Sequence, residues 1–364
     1  MRWRLVFTLI GLALSLVVSA QVNDRLKPAV RNLPTAPLNE ANMNADTIQK
    51  LIGLLRTTPP KDFRAFVVIK DNKLVAEEYF NTYWRETIHD VRSAGKGVTA
   101  LLLGIAIDKG LVKNVEQSIF DFFPATKFPS PPSDRHRNIK IKHLLMMSSG
   151  LAADDNDDQA PGNTGNWLTS NDWVSYALRL PMSFNPGEKY AYNDVCPMLI
   201  GAIIEETSGK KLSEFAKENL FEPLGIREFY WYTGMGGRTA PMGNLYVSAL
   251  DFAKIGQLVL NNGKWGNRQI VSSQWIGEIS KSRIDISQED PFSTGYGYFW
   301  FIGSRKVSGK TYDYICASGN GGNLIFVFKQ RNMVVALTSS AYGPGPGHTR
   351  ARNVLDFVLR SVRE

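Results

Sequence analysis

The stretch "VRSAGKGVTALLLGIAIDKG", residues 91–110, runs from Gly97 to Ile107 without a charged side chain and carries a lysine, Lys96, at its head. An apolar surface on all sides predicts a helix buried all round, beginning at Ser93 and ending at Gly110. Ser93 and Lys96 are three residues apart, so their side chains share a face with Cβ atoms about 5–6 Å from each other. At that spacing the amine reaches the hydroxyl. Burial and the positive end of the helix both disfavour an ammonium ion, which predicts a neutral Lys96 able to take a proton from Ser93. The plainer alternative makes Ser93 an N-cap and lets Lys96 stretch its amine to solvent. A second Ser-x-x-Lys, Ser208 with Lys211, lies in "EETSGKKLSEF", where Gly209 stops a helix, and reads as a helix-end joint.

Outward from this helix, "FRAFVVIK" and "KLVAEEYF" flank Asp71-Asn72 and read as a β-hairpin, preceded by a helix over roughly 39–56. The C-terminal part is β-rich again in "YGYFWFIG", "TYDYICASG", "NLIFVFKQ" and "MVVALTSS", closed by a helix in "RNVLDFVLRSV". Helical and loop patterns fill the middle. The fold class expected is α+β: an antiparallel sheet formed from both termini and flanked by helices, with an inserted, mostly helical lobe. The boundaries expected are a sheet lobe from 21–110 and 291–364 and a helical lobe from 111–290.

Residues 1–20 pair a basic start, Arg2 and Arg4, with an apolar run and Val18-Ser19-Ala20, the pattern of a cleaved secretory leader. The run falls short of the roughly 18 or more residues of a spanning helix, and no cysteine follows it to carry a lipid. A periplasmic or secreted protein without a stable membrane anchor is expected. The net charge of +8 falls by two when that leader leaves, and the basic residues are scattered apart from Arg135, Arg137, Lys140 and Lys142. That cluster reads as a solvated face or as an attraction to an anionic envelope polymer; nothing points to nucleic acid. Cys196 and Cys316 are the two cysteines of an exported chain, and their pairing is open. His89, His136, His143 and His348 lack paired metal spacing, so neither a metal nor another cofactor is expected. "DDNDDQAPGN" starts like a calcium loop with Asp154, Asn156 and Asp158 but lacks the turn glycine and the closing acid, and reads instead as an acidic loop near a cleft mouth. His348 reads as a loop histidine, with a place lining the cleft as the alternative.

Two further stretches carry chemistry. In "NPGEKYAYNDVCPMLIGAIIEETSG", Tyr192 precedes a helix and offers a phenol for proton transfer, while Asp194 reads as the helix N-cap. The alternative is a core aromatic. In "ASGNGGNLIFVF" a strand runs into a glycine-rich turn, which lets a backbone N–H approach a substrate oxygen, or is simply a hairpin.

Taken together, Ser93-Ala94-Gly95-Lys96, "IKIKHLLMMSSGL", Tyr192-Asn193-Asp194, "LGI" at 224–226, "SALDFAKIGQLVLNNGKW" at 248–265 and Ala317-Ser318-Gly319 resemble the serine β-lactamase, penicillin-binding-protein and esterase superfamily in its class C-like branch. The resemblance spans roughly residues 40–360, with a tail somewhat like that of nylon-oligomer hydrolases. It implies Ser93 as acylated nucleophile, Lys96 as activating base, Tyr192 as proton-transfer partner, and an oxyanion hole from the N–H groups of Ser93 and Asn320. Asp194, Ala317, Ser318 and Gly319 are then the expected substrate-binding positions. Two departures stand out: Tyr-Asn-Asp replaces Tyr-x-Asn, and Ala-Ser-Gly replaces Lys-Thr-Gly or His-x-Gly. The first puts a carboxylate beside Lys96 which, if ionised, holds the amine partly protonated; the second removes a cation that meets a substrate carboxylate, so neutral esters or amides are expected to be cleaved better than matched substrates bearing one. The function expected is an exported serine hydrolase acting on a small-molecule or peptide-like ester or amide, with a D-Ala-peptidase, a β-lactamase, an acyltransferase or an acylated envelope sensor as alternatives.

Overall fold

The computed structural model describes residues 33–363 except 58, 130, 131 and 344, so the leader expected at 1–20 lies outside the described residues. Helix α1 (Ala45–Thr57) buries Ile48, Leu51, Ile52 and Leu55, the i, i+3, i+4, i+7 stripe of an amphipathic helix. It is shorter than expected because Asn42, at φ +54°, separates it from a 3-10 turn over Leu38–Ala41. Strands β1 (Phe63–Lys70) and β2 (Lys73–Tyr79) form the hairpin, with Asp71 and Asn72 both at positive φ, the backbone a tight primed turn demands. After β3 (Ile88–Asp90) comes a 3-10 turn, Arg92–Ala94, and only then helix α2 (Gly95–Asp108), two residues later than the sequence suggests. Every residue of α2 from Gly95 to Ala106 is buried.

The middle of the chain contributes helix α3 (Val195–Ser208), strands β4 (Phe229–Trp231) and β5 (Leu245–Ser248), and helix α4 (Ala249–Leu260). The chain then returns through the short strands β6 (Ile284–Asp285) and β7 (Gly295–Tyr296) to four long ones. These are β8 (Phe301–Val307), β9 (Lys310–Gly319), β10 (Asn323–Phe328) and β11 (Met333–Ser339), followed by helix α5 (Gly347–Ser361).

The large sheet has the order β2-β1-β11-β10-β9-β8-β7-β6, antiparallel throughout, so the first long strand lies against the last. Both faces are covered, which is why its inner strands read as continuous apolar runs rather than alternating ones. Phe66, Val68, Cys316, Phe326 and Val335 pack in one layer with residues of α1 and α5. Val67, Ile69, Ala317, Ile325 and Val334 pack in the other with α2 and α4. The sequence reading of 111–290 as mostly helical misses β4 and β5, which form a separate three-stranded sheet with β3, β5 pairing with both β3 and β4. Strands of three and four residues are too short to show a period. Cys196 and Cys316 are both buried and unpaired. Among the described residues no helix is long and apolar enough to cross a membrane.

Candidate active site

The turn before α2 sets the site. Arg92, directly ahead of Ser93, holds φ +53°, a conformation a non-glycine residue adopts at a cost of about 1–3 kcal/mol. Asp90 supports it by accepting the Arg92 N–H on Oδ1 at 2.8 Å. The bend lifts Ser93 to the edge of α2 and leaves Lys96 one turn further on, 2 % exposed. Lys96 Nζ donates to Ser93 Oγ at 2.9 Å and to the carbonyl of Met242 at 2.8 Å, and lies 2.7 Å from Asp194 Oδ1. Three N–H groups therefore meet three oxygens. The Tyr192 ring centroid is 4.9 Å from the same nitrogen.

This geometry favours the protonated amine that Asp194 implies over the neutral one that burial implies. Burial pushes Lys96 down, as the sequence reading held, but the Asp194 carboxylate and the Tyr192 phenol push it up and prevail, so Lys96 is held well above the usual lysine range. The resting pair is ammonium and carboxylate. Asp194 is also not the side-chain cap of α3: Asn193 Oδ1 accepts the Cys196 N–H at 2.8 Å and does that work. The one-residue exchange frees the Asp194 carboxylate for Lys96.

Ser93, Tyr192, Ser318 and Asn320 line a cleft of about 440 Å³. The end of β9 reaches the turn before α2 through Gly319, where a Cβ would lie 2.1 Å from the Val91 carbonyl and 3.0 Å from Ala94 N. Only glycine permits that approach. Gly319 is thus a contact between the sheet and the nucleophile turn, and it does not line the cleft. Neither does Ala317, which faces α2 with its methyl 3.3 Å from where a Cβ on Gly97 would stand. Asp194 likewise serves Lys96 and is not among the cleft residues. Asn320 is fixed at the start of its turn by two bonds: its Oδ1 accepts the Gly343 N–H at 2.9 Å, and its carbonyl accepts Asn323 Nδ2 at 2.8 Å.

The cleft is also lined by residues the sequence reading missed, Glu289, Asp290, Phe292, Phe301, Arg352 and Tyr190, and by Asn156 of the acidic loop expected near its mouth. His348 is not in a loop but opens α5, and it lines the cleft as its alternative reading had it. Arg352 is 3 % exposed, its guanidinium carbon lies 3.8 Å from the Phe292 ring centroid, and its Nε has no hydrogen-bond partner among the described residues. The signal for it was legible: Arg352, Leu355 and Leu359 are spaced as one buried helix face, the same intrusion of a cation into an apolar stripe that marks Lys96. Asp155 joins the site from behind. Its N–H donates to the Tyr192 carbonyl at 2.8 Å, and its Oδ1 accepts the Thr164 N–H and hydroxyl at 2.8 and 2.9 Å. Burial first, and Asp194 second, push its carboxyl up to about 6. The acidic loop folds on its own turns, with Asp154 Oδ1 accepting the Asn156 N–H. In the basic cluster, Lys140 and Lys142 both pair with Glu116, and Ser208 with Lys211 straddles the end of α3 at Gly209.

The model of the family described as "Beta-lactamase" matches residues 64–359. A protein of Escherichia coli strain K12 named "Putative D-alanyl-D-alanine carboxypeptidase" is 28% identical over 325 residues, covering 71% of this chain and 72% of its own. Among solved structures, one titled "Putative 6-aminohexanoate-dimer hydrolase" from Bacillus anthracis superposes with a TM-score of 0.70 at 19% identity, over 92% of this chain and 90% of that one. A "putative beta-lactamase" from Bacteroides dorei gives 0.71 at 18% identity, over 88% and 99%. These two likenesses describe the fold, and the fold they describe is the one expected from the sequence.

Proposed function

The chain belongs to the Beta-lactamase family, and from that membership we propose that it is an exported serine hydrolase cleaving an ester or amide through an acyl-enzyme on Ser93. The observation that carries the reading is the 2.9 Å bond between Lys96 Nζ and Ser93 Oγ at the wall of an open cleft.

Because Lys96 starts as an ammonium ion, it accepts the Ser93 proton only as it passes one on, to the Asp194 carboxylate or, as the substrate's leaving group departs, through Tyr192. Ser93 Oγ attacks the carbonyl carbon, and the negative charge moves to the carbonyl oxygen between the N–H groups of Ser93 and Asn320. Collapse breaks the bond to the leaving group, which takes the proton by way of Tyr192. Water then repeats the sequence against the acyl-enzyme, releasing the acid and restoring the serine.

Labelling with a fluorophosphonate and mapping the modified peptide tests the assignment. Modification of the peptide holding Ser93, absent from Ser93→Ala, is expected; labelling that survives the substitution refutes it. N-terminal sequencing of the mature protein, with Gln21 as the expected first residue, tests export.

A second reading, a D-Ala-peptidase type of reaction, is favoured by Arg352. A guanidinium buried in the cleft lining with no ion-pair partner among the described residues suits a substrate that brings its own carboxylate, such as a peptide C-terminus. A sensor that is acylated and not turned over differs only in the rate of the water step, which a progress curve with a simple ester separates.

A further inference from the structure

Arg92 has a role that the hydrolase mechanism leaves unused. It occupies a left-handed conformation immediately before the nucleophile, and Asp90, itself buried, braces it twice. Asp90 Oδ1 accepts its N–H at 2.8 Å, and Asp90 Oδ2 lies 3.1 Å from its Nε. The guanidinium then leaves the turn and lies over the ring of Tyr342, 4.2 Å from its centroid. A cation so placed over a phenol is attracted by the ring's negative face.

Tyr342 touches the other half of the site. Its ring edge lies against Gly321, where an added Cβ would be 2.8 Å from Cδ1. Its hydroxyl donates to the Asp90 carbonyl at 3.4 Å and lies 3.2 Å from His89 Nε2. The next residue, Gly343, donates its N–H to Asn320 Oδ1. A continuous path therefore runs from Ser93 through Arg92 and Tyr342 to Gly343 and Asn320. It joins the two residues whose N–H groups would share the oxyanion.

We propose that Arg92 and Tyr342 are a positioning pair that fixes the turn carrying Ser93 against the turn carrying Asn320, and so sets the spacing of the oxyanion hole. The proposal rests on the reading of Ser93 as the acylated nucleophile. Neither residue touches the reacting atoms; each acts through the backbone it holds. A gap of a few tenths of an ångström between two N–H donors weakens their grip on a tetrahedral oxyanion more than on a planar carbonyl. The pair therefore acts on kcat and leaves KM largely alone.

The test is a double-mutant cycle with Arg92→Gly and Tyr342→Ala, read by steady-state hydrolysis of a neutral ester, by the affinity of an alkyl boronic acid as tetrahedral analogue, and by thermal midpoint. Glycine accepts the positive φ without strain, so Arg92→Gly removes the guanidinium and keeps the turn. Each single variant is expected to lower kcat about 10-fold, short of the 10²–10³ of deleting an oxyanion donor outright. Boronate affinity should fall in parallel and KM should stay within about threefold. The double variant should lose no more than the worse single one, because both break the same link. Tyr342→Phe keeps the ring and should stay within about threefold of wild type. Additive losses, a loss in KM alone, or singles with wild-type kcat overturn the pairing. Fluorophosphonate labelling of wild type in the same series keeps the two ideas apart: absence of label on Ser93 removes the hydrolase reading and the pairing with it, whereas labelled wild type with unchanged variants removes the pairing alone.

Discussion

Lys96 Nζ lies 2.7 Å from Asp194 Oδ1, and this ion pair, not a neutral amine, stands behind Ser93. Removing Asp194 therefore acts in two ways. Without the carboxylate that holds its pKa up, Lys96 loses its proton at lower pH, and the neutral amine then takes the Ser93 proton directly instead of first passing one on. Asp194→Asn should move the acid limb of the kcat/KM profile to lower pH. An unmoved limb would show that the carboxylate does not govern the base.

The same pair bears on stability. A lysine whose folded pKa is raised above its unfolded value contributes stability that is fully present below the unfolded pKa, near 10.4, and is lost as pH rises through the folded one. The contribution of the Lys96–Asp194 pair is thus complete at neutral pH. Breaking it leaves a buried ammonium without its counter-charge, for which losses of about 3–5 kcal/mol are usual. Asp194→Asn should lie toward the lower end, because the Met242 carbonyl and Ser93 hydroxyl remain. Urea unfolding at pH 7 measures it.

Lys96→Ala and Tyr192→Phe should each lower kcat about 10²-fold or more, the usual weight of general acid–base catalysis. Circular dichroism establishes that the variants are folded. Turnover near that of wild type in a folded variant removes the residue from the proton path.

Asp155 gives a stability dependence of the same sign in a lower pH range. Its carboxyl is pushed up to about 6 by burial and by Asp194, so between its unfolded value near 3.9 and about 6 the folded state holds a proton that the unfolded state has released. Stability from this group is full below that window and falls as pH rises through it. Asp155→Asn keeps an acceptor for Thr164 and cannot ionise. The stability difference between variant and wild type should change between about pH 4 and 6 and be flat above, as read by denaturant melts across that range.

The sequence exposes what breaks a pattern and hides what depends on which way a side chain turns. Lys96 is visible because it interrupts an apolar helix, and the hairpin because Asp71-Asn72 suits only a tight turn. The two-ended sheet is visible in its long strands. Asn193 and Asp194 are not separable by sequence, since either caps a helix; the position of the Lys96 amine, brought in from a different element, decides between them. Ala317 and Ser318 are equally ambiguous. Strand β9 is covered on both faces, so no alternation marks which residue faces the cleft and which faces α2.

That ambiguity decides the question of substrate charge. The sequence reading takes Ala317 as the place where a cation is missing and expects neutral esters or amides to be preferred over matched substrates bearing a carboxylate. The structure turns Ala317 away from the cleft, toward Gly97, while Arg352 lines the cleft 3 % exposed and with no ion pair among the described residues. Asp290 and Glu289 line the same cleft and oppose an incoming carboxylate, so Arg352 acts against them. A hydrogen bond to a charged group contributes about 1.5–3 kcal/mol, and 1.4 kcal/mol is a factor of ten. For a matched ester pair with and without a carboxylate, Arg352→Gln should lower the ratio of kcat/KM values, charged over neutral, by about tenfold or more. Ala317→Lys, the change that restores the family's usual cation, should not raise that ratio. Its side chain starts against the Gly97 face of a close-packed layer, so the expected result is a lower thermal midpoint. If Ala317→Lys raises the ratio and Arg352→Gln leaves it unchanged, the carboxylate is met at the end of β9 and not by the last helix.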